Sequence, residues 1–175
     1  MDAPNPSAMP TFASRTPLHI GAVGLKVRDL DRSVAFYRDV FGFSEVARAG
    51  RQMAFMRAAG STNHHDLGFL ALGPRATQAP QEAVGLFHLA WQVPAIEDLA
   101  AARKKLIEIG SITGESDHGA TKSVYGLDPD GHEFEIMWLV PHELWGEYES
   151  QAPTKPLDLE AELARFGKHP AGPHA

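Results

Sequence analysis

An internal repeat constrains this chain more than any other feature. Residues 22–42 read AVGLKVRDLDRSVAFYRDVFG and residues 88–110 read HLAWQVPAIEDLAAARKKLIEIG. An offset of 66 places Val27 on Val93, Leu30 on Ile96 and Asp31 on Glu97. Each copy opens on an alternating strand, with Val23, Leu25 and Val27 in the first and Leu89, Trp91 and Val93 in the second. Each strand then runs into a helix. Val34, Tyr37 and Phe41 share one face of the first helix, and Ile96, Leu99, Arg103 and Leu106 share one face of the second. Gly42 and Gly110 are helix stops, and Asp29 or Asp31 can cap the first helix. Short strand-like runs follow at 44–47, 52–57 and 66–72, and again at 112–113, 123–127 and 133–139. Asp128-Pro129-Asp130-Gly131 reads as a turn, and residues 73–83 link the copies.

The pattern predicts an α+β fold of two βαβββ units forming a cupped, incomplete mixed β-barrel with the helices outside. The expected domain covers 18–141, with unit one at 18–75 and unit two at 85–141. A loose leader (1–17) would precede it and a tail (142–175) would follow. Pro156-Leu157-Asp158 ahead of Leu159, Leu163 and Phe166 marks a short capped helix near 158–166 in that tail.

Strand parity then sorts side chains between the cup and the helix-covered back. The large apolar residues at 23, 25, 27, 89, 91 and 93 belong to the back, so positions 22, 24, 26, 88, 90 and 92 face the cup. By the same parity Phe134, Ile136 and Trp138 face the back, while Glu133, Glu135 and Met137 face inward. His88 and Glu135 therefore share one concave surface. Imidazole and carboxylate are ligand types for Fe(II), Mn(II), Zn(II) or Ni(II). A core histidine bonded to a structural glutamate is the alternative reading, and a metal-free site remains open.

Composition narrows the classes. There is no cysteine, which excludes disulfides, thiolate zinc sites and cysteine nucleophiles; nine histidines are present. The net charge is −6 and the 16 Lys and Arg are scattered, so neither a nucleic-acid surface nor a basic membrane face is expected. No apolar run approaches transmembrane length. A cytoplasmic location and a symmetric homodimer are the base expectations.

The residues also carry a resemblance. VRDLDRSVAFYRDVFGF (27–43), FHLAWQV (87–93) and DPDGHEFEI (128–136) resemble the vicinal oxygen chelate superfamily of glyoxalases, bleomycin-resistance proteins and extradiol dioxygenases. NHHDLGFLAL (63–72) and DHGATKSVYGLDPDG (117–131) resemble its catechol 2,3-dioxygenase branch. The resemblance implies a metal, usually Fe(II), held by two His and one Glu. It puts His88 and Glu135 in the ligand set, His65 as an acid/base, His118 behind the site, and Tyr125 as a hydrogen-bond partner of a substrate oxygen. The implied partners are a small catechol-like aromatic and O2. The remaining ligand position falls on residue 22, where the repeat also places it, and Ala22 stands there. His19, three residues away, would need a bulge to reach the same face; His64 and His142 are further candidates. The expected function is an extradiol ring-cleaving dioxygenase-like metalloenzyme. A non-catalytic small-molecule binder that has lost a ligand, or a glyoxalase-type lyase or isomerase, is the alternative.

Overall fold

The computed structural model describes residues 19–80 and 82–167. The leader expected over 1–17 lies outside them. Unit one consists of β1 (Val23–Val27), α1 (Leu30–Phe41), β2 (Ser44–Ala49), β3 (Met53–Arg57) and β4 (Leu67–Ala71). Unit two consists of β5 (Leu89–Val93), α2 (Ile96–Glu108), β6 (Ile112–Asp117), β7 (Thr121–Leu127) and β8 (Glu133–Leu139). Two short 3-10 turns, His142–Leu144 and Gly146–Glu149, lead to α3 (Leu159–Phe166). Each unit is a four-stranded mixed sheet, in the orders β1-β4-β3-β2 and β5-β8-β7-β6. The first and last strands of each unit pair in parallel, Val23 with Leu67 and Leu89 with Phe134. The two sheets do not close into a barrel.

The 66-residue offset carries β1 onto β5 and α1 onto α2. It drifts by two residues in the strands between, because α2 is one residue longer than α1 and is joined to the next strand by one residue more. The second strand of each unit has a register break, between Glu45 and Ala47 and between Ile112 and Gly114. The 112–113 strand expectation is too short. Glu115, Ser116 and Asp117 lack apolar alternation, yet they pair with Val124, Ser123 and Lys122.

Capping follows local chemistry. The Asp29 carboxylate accepts from Arg32 N at 3.0 Å and starts α1. Gly42 ends it in the left-handed region at φ 69°, with its N–H donating to Arg38 O. α1 buries Leu30, Val34 and Tyr37. In α2, Ile96, Leu99 and Leu106 are buried, but Arg103 turns out of the core and makes a two-toothed ion pair with Glu115.

The units meet along an aromatic seam. Phe41 packs edge-on against Phe134 (5.0 Å between centroids), and Phe43 edge-on against Trp91 (5.1 Å). Above this seam the Asp128-Pro129-Asp130-Gly131 turn of unit two clamps unit one. Buried Asp130 accepts from Arg28 Nη1 and Arg32 Nη2, each at 3.0 Å. It also accepts from Arg28 N at 3.2 Å. Asp128 shapes the turn by accepting from Asp130 N and His132 N, and its other oxygen meets His132 Nδ1 at 2.9 Å. Among the described residues no helix is long and apolar enough to cross a membrane.

The Asp128 hydrogen bond and charge raise the His132 pKa above its usual value, against the effect of burial. A raised folded-state pKa gives stability that is whole below about pH 6.5 and fades as pH climbs through the folded value. The stability gap between the wild type and His132→Gln is therefore expected to be wider at pH 6 than at pH 9. Urea unfolding at the two pH values measures it; a gap that widens with pH would show that the His132–Asp128 pairing is not the linkage.

Candidate metal and substrate site

Glu135 sits in the middle of β8, where parity turns it to the concave side while Phe134 and Ile136 go to the core. Tyr125 lies opposite Glu135 in the antiparallel β7–β8 pair, and Ala90 lies beside Glu135 on the parallel side. His88 stands one residue before β5. Its Nε2 is 3.1 Å from Glu135 Oε2. The Tyr125 hydroxyl is 3.2 Å from the other carboxylate oxygen, Oε1. His118, on the β6–β7 turn, brings Nε2 to 2.9 Å from the same hydroxyl. His88 and Tyr125 are ring neighbours at 5.8 Å. Four residues singled out in the sequence thus form one continuous line of contacts.

The electrostatics follow from burial. Glu135 is buried, and such a carboxylate is costly unless bonded or paired. Both of its oxygens have partners here. Burial and the adjacent Glu135 charge push the Tyr125 hydroxyl up to about 12, so it is protonated and a hydrogen-bond donor at neutral pH. His88 Nδ1 is buried with no partner.

The pair fits a cation in part. Two ligands about 2.1 Å from an ion and about 90° apart stand about 3.0 Å from each other, close to the Nε2 to Oε2 separation seen here. Among the described residues, however, no group of three or more His, Asp or Glu gathers to hold a metal.

Among the described residues, no hydrogen bond, ion pair or ring contact ties the other residues predicted from sequence to these four. His65 belongs to a pocket of about 320 Å³ on unit one, with Ala22, Lys26, Met53, Phe55 and Leu70. Its ring packs edge-on against Phe55, and its Nδ1 lies 3.0 Å from His64 Nδ1. Ala22 faces this pocket just ahead of β1, and His19 is exposed. His142 pairs with Glu149 at 3.2 Å. One contact beside these four was invisible in the sequence: His118 Nδ1 lies 2.8 Å from the Pro153 carbonyl oxygen. A backbone carbonyl carries no residue signature.

The family profile described as the glyoxalase/bleomycin resistance protein/dioxygenase superfamily matches residues 19–136. The chain belongs to that superfamily. This superfamily member is 34% identical over 155 residues to a catechol-2,3-dioxygenase from Bacillus subtilis (strain 168), covering 85% of this chain and 52% of that protein. It is 32% identical over 124 residues to a manganese-dependent 2,3-dihydroxybiphenyl 1,2-dioxygenase from Geobacillus genomosp. 3, covering 69% of this chain and 36% of that protein. The chain therefore spans about half or less of the length of these two relatives. The crystal structure of a glyoxalase/dioxygenase from Nostoc punctiforme matches with a TM-score of 0.63 at 19% identity, covering 77% of this chain and 99% of that one, a likeness of fold.

Proposed function

We propose that this superfamily member is an extradiol ring-cleaving dioxygenase acting on a catecholic substrate with O2, using a divalent metal, Fe(II) first, with Mn(II) next. The observation that carries the reading is the buried Glu135 carboxylate, held between His88 Nε2 on one oxygen and the Tyr125 hydroxyl on the other. His88 and Glu135 are the residues that would hold the ion. When bound, the ion supplies positive charge that acidifies catechol hydroxyls, as it does water.

The chain's own groups do the rest. Tyr125, protonated at neutral pH, donates a hydrogen bond to an anionic substrate oxygen. His118 positions that hydroxyl from behind. His65 takes a substrate proton and returns it, a role suited to imidazole near pH 7. The apolar wall of Met53, Phe55 and Leu70 receives the ring. The identities to two dioxygenases support this choice over glyoxalase chemistry.

The test is ring cleavage after anaerobic Fe(II) loading. Under air, wild type should form the yellow ring-opened product from a simple catechol. Tyr125→Phe should be slower by about 100-fold, the scale for removing one donor to a developing oxyanion. Catechol binding without any product at saturating Fe(II) would overturn the enzyme. It would favour a second reading, a non-catalytic binder of small aromatics, for which the observation is Ala22 at a ligand position.

A further inference from the structure

We propose that residues 140–158 act as a positioning strap for the site, in which the Pro153 carbonyl holds His118 as its Nδ1–H tautomer and so aims a bare Nε2 at the Tyr125 hydroxyl. The proposal rests on the reading that Tyr125 serves the Glu135 site.

The first step is a matter of donors and acceptors. A carbonyl oxygen can only accept, so the 2.8 Å contact with Pro153 O requires a proton on His118 Nδ1. A neutral imidazole carries one proton, so Nε2 is then a lone pair, 2.9 Å from Tyr125 OH. The tyrosine has one proton and two acceptors in reach, His118 Nε2 and Glu135 Oε1. With the strap in place, the hydroxyl can turn its proton to His118 and away from Glu135 Oε1 while the site is free of substrate, and swing it to a substrate oxygen once one is bound. Without the strap, imidazole in water prefers the Nε2–H form. That form would donate to the tyrosine oxygen and leave the tyrosine proton pointing to Glu135 Oε1.

The strap is built to hold this place. Lys155 N donates to Asp117 O at 3.0 Å, and Asp117 N donates back to Lys155 O at 2.8 Å, an antiparallel bridge one residue from His118. The Tyr148 ring covers Gly119, where a Cβ would run into it; Gly119 is also at φ 79°. Lys155 Nζ stands 5.6 Å from the centre of the same ring. Beyond the strap α3 is sealed by buried Leu159 and Phe166. Its Glu162 also reaches the buried Lys122 of β7, at 3.4 Å. That separation is an ion pair more than a hydrogen bond, consistent with Glu162 Oε2 making none.

The test uses the full chain, labelled with ¹⁵N in its histidine rings, at a pH where His118 is neutral. Ring ¹⁵N shifts report which nitrogen carries the proton. In wild type, His118 should be protonated at Nδ1 and bare at Nε2. Lys155→Pro removes one bond of the bridge, and Tyr148→Ala removes the ring from Gly119; the second variant serves if the first fails to fold. In whichever folds, the Asp117 amide should exchange at least tenfold faster and His118 should move toward the Nε2–H form. On a His118→Gln background, where a side-chain amide meets Tyr125 without help from Pro153, the same loosening should leave the Tyr125 ring resonances unmoved. Wild-type His118 protonated at Nε2 overturns the proposal. So does a tautomer that persists when the Asp117 amide is deprotected, and so does an Asp117 amide that stays protected in both variants. None of these readouts uses a metal or a catechol, so the dioxygenase reading can fail while the strap stands, and the reverse.

Discussion

Asp130→Ala should cost about 3 kcal/mol of stability, the lower end of the range for removing one partner of a buried ion pair. Asp130 is among the few buried carboxylates, and its loss takes an acceptor from two guanidinium groups and from the Arg28 amide, although Arg28 Nε keeps the Ala76 carbonyl and the Ser33 hydroxyl keeps the Asp29 carbonyl. The lower end applies because Arg28 and Arg32 keep partial contact with water; their side chains are 29% and 48% exposed. For a chain of this size the loss corresponds to a Tm lower by about 6–12 °C. The residues involved join the two units, so the variant should also loosen the seam between Phe41 and Phe134. Asp39→Ala is the control, because the Arg38–Asp39 pair is exposed on both sides and should give no measurable shift. Thermal unfolding of the two variants checks the contrast. Equal effects would mean that the clamp between units is not what Asp130 supplies.

Ala22→His should raise Fe(II) affinity by on the order of tenfold or more, about 1.4 kcal/mol for each factor of ten. Position 22 corresponds to His88 by the 66-residue offset, and β1 and β5 occupy corresponding places in their sheets. The packing cost should be small, because residue 22 is exposed and borders the open pocket of unit one. Catechol cleavage should rise or appear in the same variant. Calorimetric titration with Fe(II) under anaerobic conditions measures the affinity, and Ala22→Leu controls for bulk. A fall in an existing activity would mean that another group already completes the site, with His19→Ala the next variant to make. Higher metal affinity without catechol cleavage would remove the roles given to His65 and Tyr125.

Much of the architecture was legible because it is written twice. Period-two alternation at Val23, Leu25 and Val27, repeated at Leu89, Trp91 and Val93, fixed both parallel edge strands and the face that each side chain takes. That parity put His88 and Glu135 on one surface, and their side chains meet there at 3.1 Å. The limits have physical causes. β6 was underestimated because Glu115, Ser116 and Asp117 sit on a ribbon edge, where pairing with β7 needs no apolar pattern. Arg103 occupies a core-face position by spacing, but its long stem lets the guanidinium reach Glu115. The inter-unit role of Asp130 was hidden because Arg28 and Arg32 lie about a hundred positions away along the chain. The Pro153 contact uses a backbone atom, so no side-chain pattern could announce it. His65 carried a motif, but its pocket lies on the other unit, and sequence distance says nothing about how two sheets incline to each other.

The claim that His88 and Glu135 hold a divalent ion is tested most directly by titrating Mn(II) into the metal-stripped chain and counting bound ions by electron paramagnetic resonance. The expected result is one ion per chain in the wild type and in His142→Ala. Affinity should be weaker by about 100-fold or more in Glu135→Gln, at least the loss seen when even an outer partner of a metal site is removed. His88→Ala should behave like Glu135→Gln. Mn(II) binding that is undiminished in both Glu135→Gln and His88→Ala would contradict the site.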